Sequence, residues 1–198
     1  MTELAVQDNM LKNEYNIRLA RPEDIPGVML VNLKSLPENY WYGFYSAILR
    51  EWPDLFFVVE HRGEIVGYAM SRVEYTSDPV LAGEYDELEN GPLSPLRKLK
   101  DYVVRSYKTV HLISIAVLEP HRGKGLGSKL LENTILAAKR HNADSVFLEV
   151  RVSNTPAIRL YEKFGFKKVR IIREYYRDGE DAYVMVLKLD SKNNNIII

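Results

Sequence analysis

The sequence predicts a single α/β (α+β) domain in which a mixed, mostly antiparallel sheet is flanked by helices. Its 198 residues are the length of one compact domain. A hydrophobic content of 46%, with 11% aromatic, supplies a core of adequate size. Period-two and helical-period apolar segments follow in the order β, α, α, β, β, β, α, β, α, β, β, without an internal repeat.

The elements follow in order. Ile17 to Leu19 ends a short strand, and Arg21-Pro22-Glu23-Asp24 starts a helix with proline and acids in its first turn. Val28, Leu30, Val31 and Leu33 continue it until Pro37, which disfavours helix at Leu36. A second, aromatic helix is predicted from Tyr40 to Arg50. Leu55–Glu60 and Glu64–Tyr75 read as strands joined by the hairpin turn His61-Arg62-Gly63. From Thr76 to about Tyr107 the pattern dissolves into an insertion, acidic first and basic later, with a short helix expected around Leu96 to Val103. Thr109 to Leu118 is apolar on both faces and reads as a central strand. A glycine-rich turn leads into a helix from Leu126 to near Arg140, followed by a strand over Ser145–Arg151. Ser153-Asn154-Thr155-Pro156 caps a short helix to Phe164, and two strands close the domain, about Gly165–Tyr175 and Ala182–Leu189. The expected organisation is a flexible segment over 1–14, a domain over 15–190 with the insertion at about 76–107, and a tail over 191–198.

Composition narrows function. Lys and Arg number 27 against 27 Asp and Glu, which argues against a general nucleic-acid binder. The absence of cysteine removes disulfide scaffolds, thiolate zinc sites and cysteine nucleophiles. Met1 to Tyr15 lacks the basic start and apolar run of a signal peptide, and no stretch approaches the ~18 apolar residues that span a bilayer. A soluble, cytoplasmic protein without a membrane partner is expected.

Arg122-Gly123-Lys124-Gly125-Leu126-Gly127-Ser128 lies where the central strand hands over to a helix. Free backbone N–H groups and the helix dipole make such a turn an anion site, to which Arg122, Lys124 and Lys129 add charge. A tight turn with solvent-facing basic residues is the alternative. A P-loop would need glycine at Leu118 and Ser or Thr at Gly125, and a dinucleotide fingerprint would need a small residue at Leu130; neither spacing is met.

The Arg-x-x-Gly-x-Gly pattern of Arg122, Gly125 and Gly127 resembles the acetyl-CoA pyrophosphate loop of the GCN5-related N-acetyltransferase (GNAT) superfamily. The strand Ile113-Ser114-Ile115-Ala116-Val117 before it, and Asn154, Ala157, Leu160-Tyr161-Glu162-Lys163 and Phe164-Gly165-Phe166 after it, extend the resemblance. Leu36-Pro37-Glu38-Asn39-Tyr40 and Tyr175 to Tyr183 further resemble the catalytic subunit of the N-terminal acetyltransferase A type and its RimI-like archaeal relatives.

The resemblance implies acetyl-CoA as the cofactor, held by Ile115, Ala116, Val117, the Arg122–Ser128 loop, Asn154, Ala157, Tyr161 and Lys163. It implies protein N-termini as substrates, nascent chains at the ribosome among them, with Leu36, Pro37, Tyr40, Tyr175 and Tyr176 lining the peptide groove. An auxiliary subunit is compatible but not implied.

A peptide α-amine, with a pKa of about 7.7 to 8.0 against roughly 10.4 for lysine, asks for only a modest base. Glu38 is one candidate. The other is His111 with Glu149, which alternation places on adjoining strands beside Ile113 and Phe147; a satisfied core histidine is the plainer reading, and the resemblance favours catalysis. Two ligands without cysteine make a poor zinc site, so no metal is expected. The resemblance, which places Tyr161 at the motif position of the family's tyrosine near the coenzyme sulfur, makes it the candidate acid for the leaving thiolate, a buried helix tyrosine being the alternative; the Val117 N–H is the candidate oxyanion donor. The rival readings are a lysine or small-amine acetyltransferase of the same fold, and a coenzyme-binding or ribosome-associated module without turnover.

Overall fold

In the computed structural model, residues 14–84 and 105–189 are described. The strands are β1 (Asn16–Leu19), β2 (Phe56–His61), β3 (Glu64–Thr76), β4 (Tyr107–Val117), β5 (Ser145–Arg151), β6 (Lys167–Ile172) and β7 (Ala182–Lys188). The helices are α1 (Ile25–Ser35), α2 (Tyr42–Glu51), α3 (Leu126–Arg140) and α4 (Thr155–Lys163). Element order is as the sequence predicts. The strands form one mixed sheet in the order β1-β2-β3-β4-β5-β7-β6. β4 and β5 run parallel, while β1·β2, β2·β3, β5·β7 and β6·β7 are antiparallel. The chain divides into two compact units, the first built from residues up to Arg72 with Leu112–Ala137, the second from Val73–His111 with the residues after Ala137.

In the first unit, α1 begins where Arg21 is extended and Pro22–Asp24 forms a 3-10 turn. Asp24 accepts the Arg21 N–H at 2.7 Å and the N–H groups of both terminal guanidinium nitrogens of Arg18, at 2.6 and 2.8 Å. The Arg18 hydrogen bond outweighs burial and holds the Asp24 carboxyl below its ordinary range. The helix stops at Leu36, whose extended backbone (φ −132°, ψ 143°) is the conformation proline demands of the residue before it. Ile25, Val28 and Val31 of α1, Tyr45 and Ile48 of α2, and Phe56, Val58, Tyr68 and Met70 of the strands form the core. Within it the Tyr68 hydroxyl receives the Asn32 amide at 2.9 Å and pairs with Ser114 Oγ at 2.6 Å, so this buried polar group is satisfied. The β2–β3 turn places both Arg62 (φ 51°) and Gly63 (φ 82°) in the left-handed region, as a two-residue hairpin requires.

The second unit packs Phe147, Val184 and Val186 with Leu81, Val169 and Ile172. Asn154 caps α4 by accepting the Ala157 N–H at 3.3 Å. Residues 77–84, the start of the predicted insertion, form turns in which Asp78 accepts the Val80 N–H at 2.9 Å and binds Arg170 at 2.7 Å. The helix expected around Leu96 to Val103 lies outside the described residues. One strand is shorter than expected: β6 ends at Ile172, not Tyr175. Glu174 turns left-handed (φ 50°) and gives its N–H to the Asp181 carboxylate at 2.9 Å. Tyr175 and Tyr176 therefore sit on a loop rather than at a strand end.

Candidate active site

The first group of site residues follows β4. Gly67 of β3 lies so close beneath this strand that a Cβ there would stand 3.1 Å from the Ala116 carbonyl oxygen and 3.2 Å from Val117 Cγ2. Glycine thus sets how closely the two backbones approach at Ile115–Val117. Past Val117, a 3-10 turn at Glu119–His121 leads to Gly123 (φ 75°) and Gly125 (φ 77°), and α3 starts at Leu126. A Cβ on either glycine would meet nothing within 4 Å. The loop is therefore open on the side these glycines face, and the first N–H groups of α3 have no acceptor within the helix. That is a backbone anion cradle at the positive end of a 15-residue helix.

The basic side chains predicted to serve this cradle have other engagements. Arg122 Nε donates to the Val117 carbonyl at 2.8 Å, tying the loop to the strand end. Lys124 Nζ donates to Tyr15 Oη at 2.6 Å and lies 5.0 Å from the centre of its ring. Tyr15 in turn meets His121 Nδ1 at 3.0 Å and stacks on His61. In this structure Arg122 and Lys124 bond within the protein, and the open side of the loop is lined by backbone.

The second group is a chain of three ionisable side chains. His111 pairs with Phe147 across β4 and β5, and Glu149 follows two residues later on the same face of β5. His111 Nε2 is 2.7 Å from Glu149 Oε2, and Nδ1 is 3.0 Å from Glu74 Oε1 of β3. The Phe147 ring stacks on the imidazole at 4.4 Å between centroids. Burial alone would push the imidazolium below its ordinary value, but the bonds to Glu149 and then Glu74 overcome this and raise its pKa to about 8. When protonated, His111 can donate from both nitrogens, to Glu149 and to Glu74.

On α4, Tyr161 is 6% exposed and its ring lies 5.8 Å from Phe166. Burial raises its phenol above the ordinary value, so it stays protonated. Asn154 Oδ1 is committed to capping the helix, and Lys163 ends it as an exposed residue. The β6–β7 loop is fixed by Arg151 at the end of β5, whose guanidinium lies 4.0 Å from the centre of the Tyr176 ring and binds Asp178 at 2.8 Å and Glu180 at 2.6 Å. Glu180 also accepts the Ser153 N–H at 2.9 Å. Tyr175 is 45% exposed and packs edge-on against Tyr176. In the α1–α2 loop of the first unit, Tyr40 stacks on Phe44 at 4.7 Å, Leu36 joins the core, and Pro37 and Glu38 stand nearer the surface.

Residues 30–166 match the model of the acetyltransferase (GNAT) family. The chain belongs to that family. It is 45% identical over 177 residues to an N-alpha-acetyltransferase of Sulfurisphaera tokodaii, covering 89% of this chain and 94% of the relative. It is 34% identical over 182 residues to the N-terminal acetyltransferase A complex catalytic subunit NAA10 of Arabidopsis thaliana, covering 90% of this chain and 80% of the relative. Among solved structures, Ard1 from Thermoplasma volcanium superposes with a TM-score of 0.69 at 28% identity, over 89% of this chain and 99% of that one.

GNAT acetyltransferases use acetyl-CoA, and this member carries features that fit its diphosphate: two left-handed glycines with open space beside them, at a helix N-terminus. The structure joins His111 to Glu149 as alternation predicts, and adds Glu74, which sequence reading missed. Glu74 lies in the polar, half-buried end of β3, after Ser71 and Arg72, where a carboxylate carries no signal of its own. What it contacts depends on strand register, which the residue pattern alone does not carry.

Proposed function

We propose that this GNAT acetyltransferase transfers the acetyl group of acetyl-CoA to the free α-amine of protein N-termini, by direct attack within a ternary complex. The observation that carries this reading is the part-buried pair of His111 and Glu149, with Nε2 2.7 Å from Oε2 on adjoining strands, a base of the modest strength that an α-amine asks for.

Acetyl-CoA supplies an activated thioester: the amine nitrogen forms a bond to the acetyl carbon as the carbon–sulfur bond breaks. The relay of His111 and Glu149 takes the proton that the amine sheds, and Glu38 of the α1–α2 loop orients the substrate terminus. The Val117 N–H donates to the carbonyl oxygen as it gains charge, Ile115 and Ala116 give main-chain partners to the pantetheine arm, and Asn154 offers its amide nitrogen. Ala157 and Lys163 border the coenzyme on α4. The loop from Arg122 through Lys124 and Leu126 to Ser128 holds the diphosphate by its backbone. Tyr161, kept neutral by burial, protonates the departing sulfur. Leu36, Pro37 and Tyr40 in the first unit, and Tyr175 and Tyr176 in the second, are the proposed contacts of the first substrate residues, with Tyr40 and Tyr176 as hydrogen-bonding partners.

Nascent chains in the cytoplasm are the proposed substrates; no helix among the described residues is long and apolar enough to cross a membrane. An auxiliary subunit is compatible with this reading and not required by it.

Thiol release from acetyl-CoA, followed with short peptides, tests the reading. Half the peptides carry a free N-terminus and no lysine, and half are N-terminally blocked with an internal lysine. Turnover is expected with the free N-termini; turnover confined to the blocked lysine peptides would move the protein to side-chain acetylation. Two substitutions refine it. Tyr161→Phe is expected to lower kcat by about 10²-fold with little change in either KM, since the phenol acts only on the leaving group. Tyr176→Phe keeps the ring over Arg151 but removes the hydroxyl, so peptide KM should rise several-fold while that of acetyl-CoA stays put; an unchanged peptide KM and kcat would strip Tyr176 of its role.

A further inference from the structure

We propose that Glu74 is the positioning residue of the relay: by accepting Nδ1–H of His111 it fixes the imidazole with Nε2 against Glu149, and its negative charge sustains the imidazolium between two carboxylates. This rests on the relay's role in proton removal and extends it to a third side chain that never needs to touch substrate.

The geometry carries the inference. An imidazole ring has two orientations related by a half-turn about χ2, which exchanges Nδ1 with Cδ2 and Nε2 with Cε1, so a partner on either nitrogen favours one of them and partners on both hold it more firmly. Here the partners come from opposite neighbours, Glu74 from β3 at 3.0 Å and Glu149 from β5 at 2.7 Å. The flat contact with Phe147, 14° from parallel, restrains the ring plane but cannot choose between the two orientations. The Glu74 backbone is held in its turn, its carbonyl accepting Thr109 Oγ1 at 3.3 Å. Among the described residues, Glu149 and then Glu74 are the charged groups with the largest effect on His111, and the stacked Phe147 is neutral.

Charge is the second part of the argument. His111 and Glu149 side chains are 15% and 16% exposed, so an imidazolium–carboxylate pair there bears a desolvation cost. A second carboxylate, on the opposite side and 30% exposed, favours the protonated ring as well. Glu74 thus sets the pH at which the relay changes between its loaded and empty forms, in the manner of the outer carboxylates that orient histidines elsewhere.

The test compares Glu74→Gln, which keeps an acceptor for Nδ1–H but loses the charge, with Glu74→Ala, which loses both. In each full-length variant the His111 ring is titrated by NMR of 15N-histidine-labelled protein, its signal identified among the four histidines by its loss in His111→Gln. The pH profile of kcat is recorded with one peptide throughout, so titration of the substrate amine is common to all. In both variants the His111 midpoint should fall by roughly one pH unit, and the acid limb of kcat should follow it. Glu74→Ala should in addition lower the high-pH plateau about tenfold, a loss that Glu74→Gln largely restores, with acetyl-CoA KM unchanged. A His111 midpoint that stays at the wild-type value in both variants overturns the proposal. A midpoint that moves while the kcat profile does not upholds Glu74's hold on the ring, and overturns instead the relay's part in proton removal.

Discussion

Glu149→Gln should lower kcat for peptide acetylation by about 10²-fold or more, the range over which a positioned acid–base group contributes, while the protein stays folded. The carboxamide has the shape of the carboxylate and can still accept from His111 Nε2, so the 2.7 Å contact survives as a neutral-acceptor bond. Two things are lost. The relay loses a carboxylate able to share the incoming proton, and the imidazolium loses its strongest charge partner, leaving burial less opposed and the His111 pKa lower than about 8. The base form then predominates at a lower pH, but as a weaker base facing an amine of unchanged affinity for its proton. The sign is therefore definite: the acid limb of kcat moves to lower pH and the plateau falls. Stability responds in the same sense. A histidine whose pKa is raised in the folded protein contributes fully below about 6.5, and that contribution is lost as pH rises through about 8. The wild-type protein should lose its advantage over His111→Gln across this window. The measurement that decides between carboxylates is parallel turnover of Glu149→Gln and Glu38→Gln. If Glu149→Gln keeps turnover within twofold of wild type and Glu38→Gln loses it, the base is Glu38 and the relay is structural.

That the relay could be anticipated at all, though not in full, shows what a residue pattern carries. His111 and Glu149 were legible because alternation on two apolar strands puts both on one face, and the observed pairing of His111 with Phe147 needs only parallel neighbours in register. Glu74 depends on how β3 lies against β4, and alternation within one strand says nothing of its offset from another. The same reasoning separates the elements. Helices α3 and α4 and strand β5 begin or end where a local signal stands, such as the glycine loop, the Asn154 cap, or the turn at Ser153. β6 looked longer because Arg173 to Tyr175 continue a strand-like composition, whereas Asp181 across the loop takes the Glu174 N–H and ends the ladder. Lys124 reads from sequence as a residue that adds charge to the glycine turn; its bond to Tyr15, 109 residues away, has no trace in local sequence. Local periodicity and capping are written along the chain, while the engagements of long side chains are settled by tertiary proximity.

Gly125→Val should raise KM for acetyl-CoA more than tenfold with peptide KM nearly unchanged. The reason is conformational rather than steric. A Cβ at Gly125 would touch nothing within 4 Å, so the loop has room for a side chain, but its φ of 77° is a conformation that L residues reach at a cost of about 1–2 kcal/mol and β-branched ones at more. The chain escapes that cost by moving Gly125 toward negative φ, which rotates the neighbouring peptide planes and turns N–H groups away from the cradle at the start of α3. The loss then falls on binding: an anion site made of backbone dipoles keeps its affinity only while several of them point at one place. Gly63 in the β2–β3 hairpin supplies the control. It has a φ of 82° and equally open surroundings, so Gly63→Val imposes comparable strain on a turn with no proposed ligand. Both variants should lose similar stability in urea denaturation, and only Gly125→Val should weaken acetyl-CoA. Equal KM values for acetyl-CoA in the two would mean that the glycine loop is a turn like any other, and would remove the diphosphate from it.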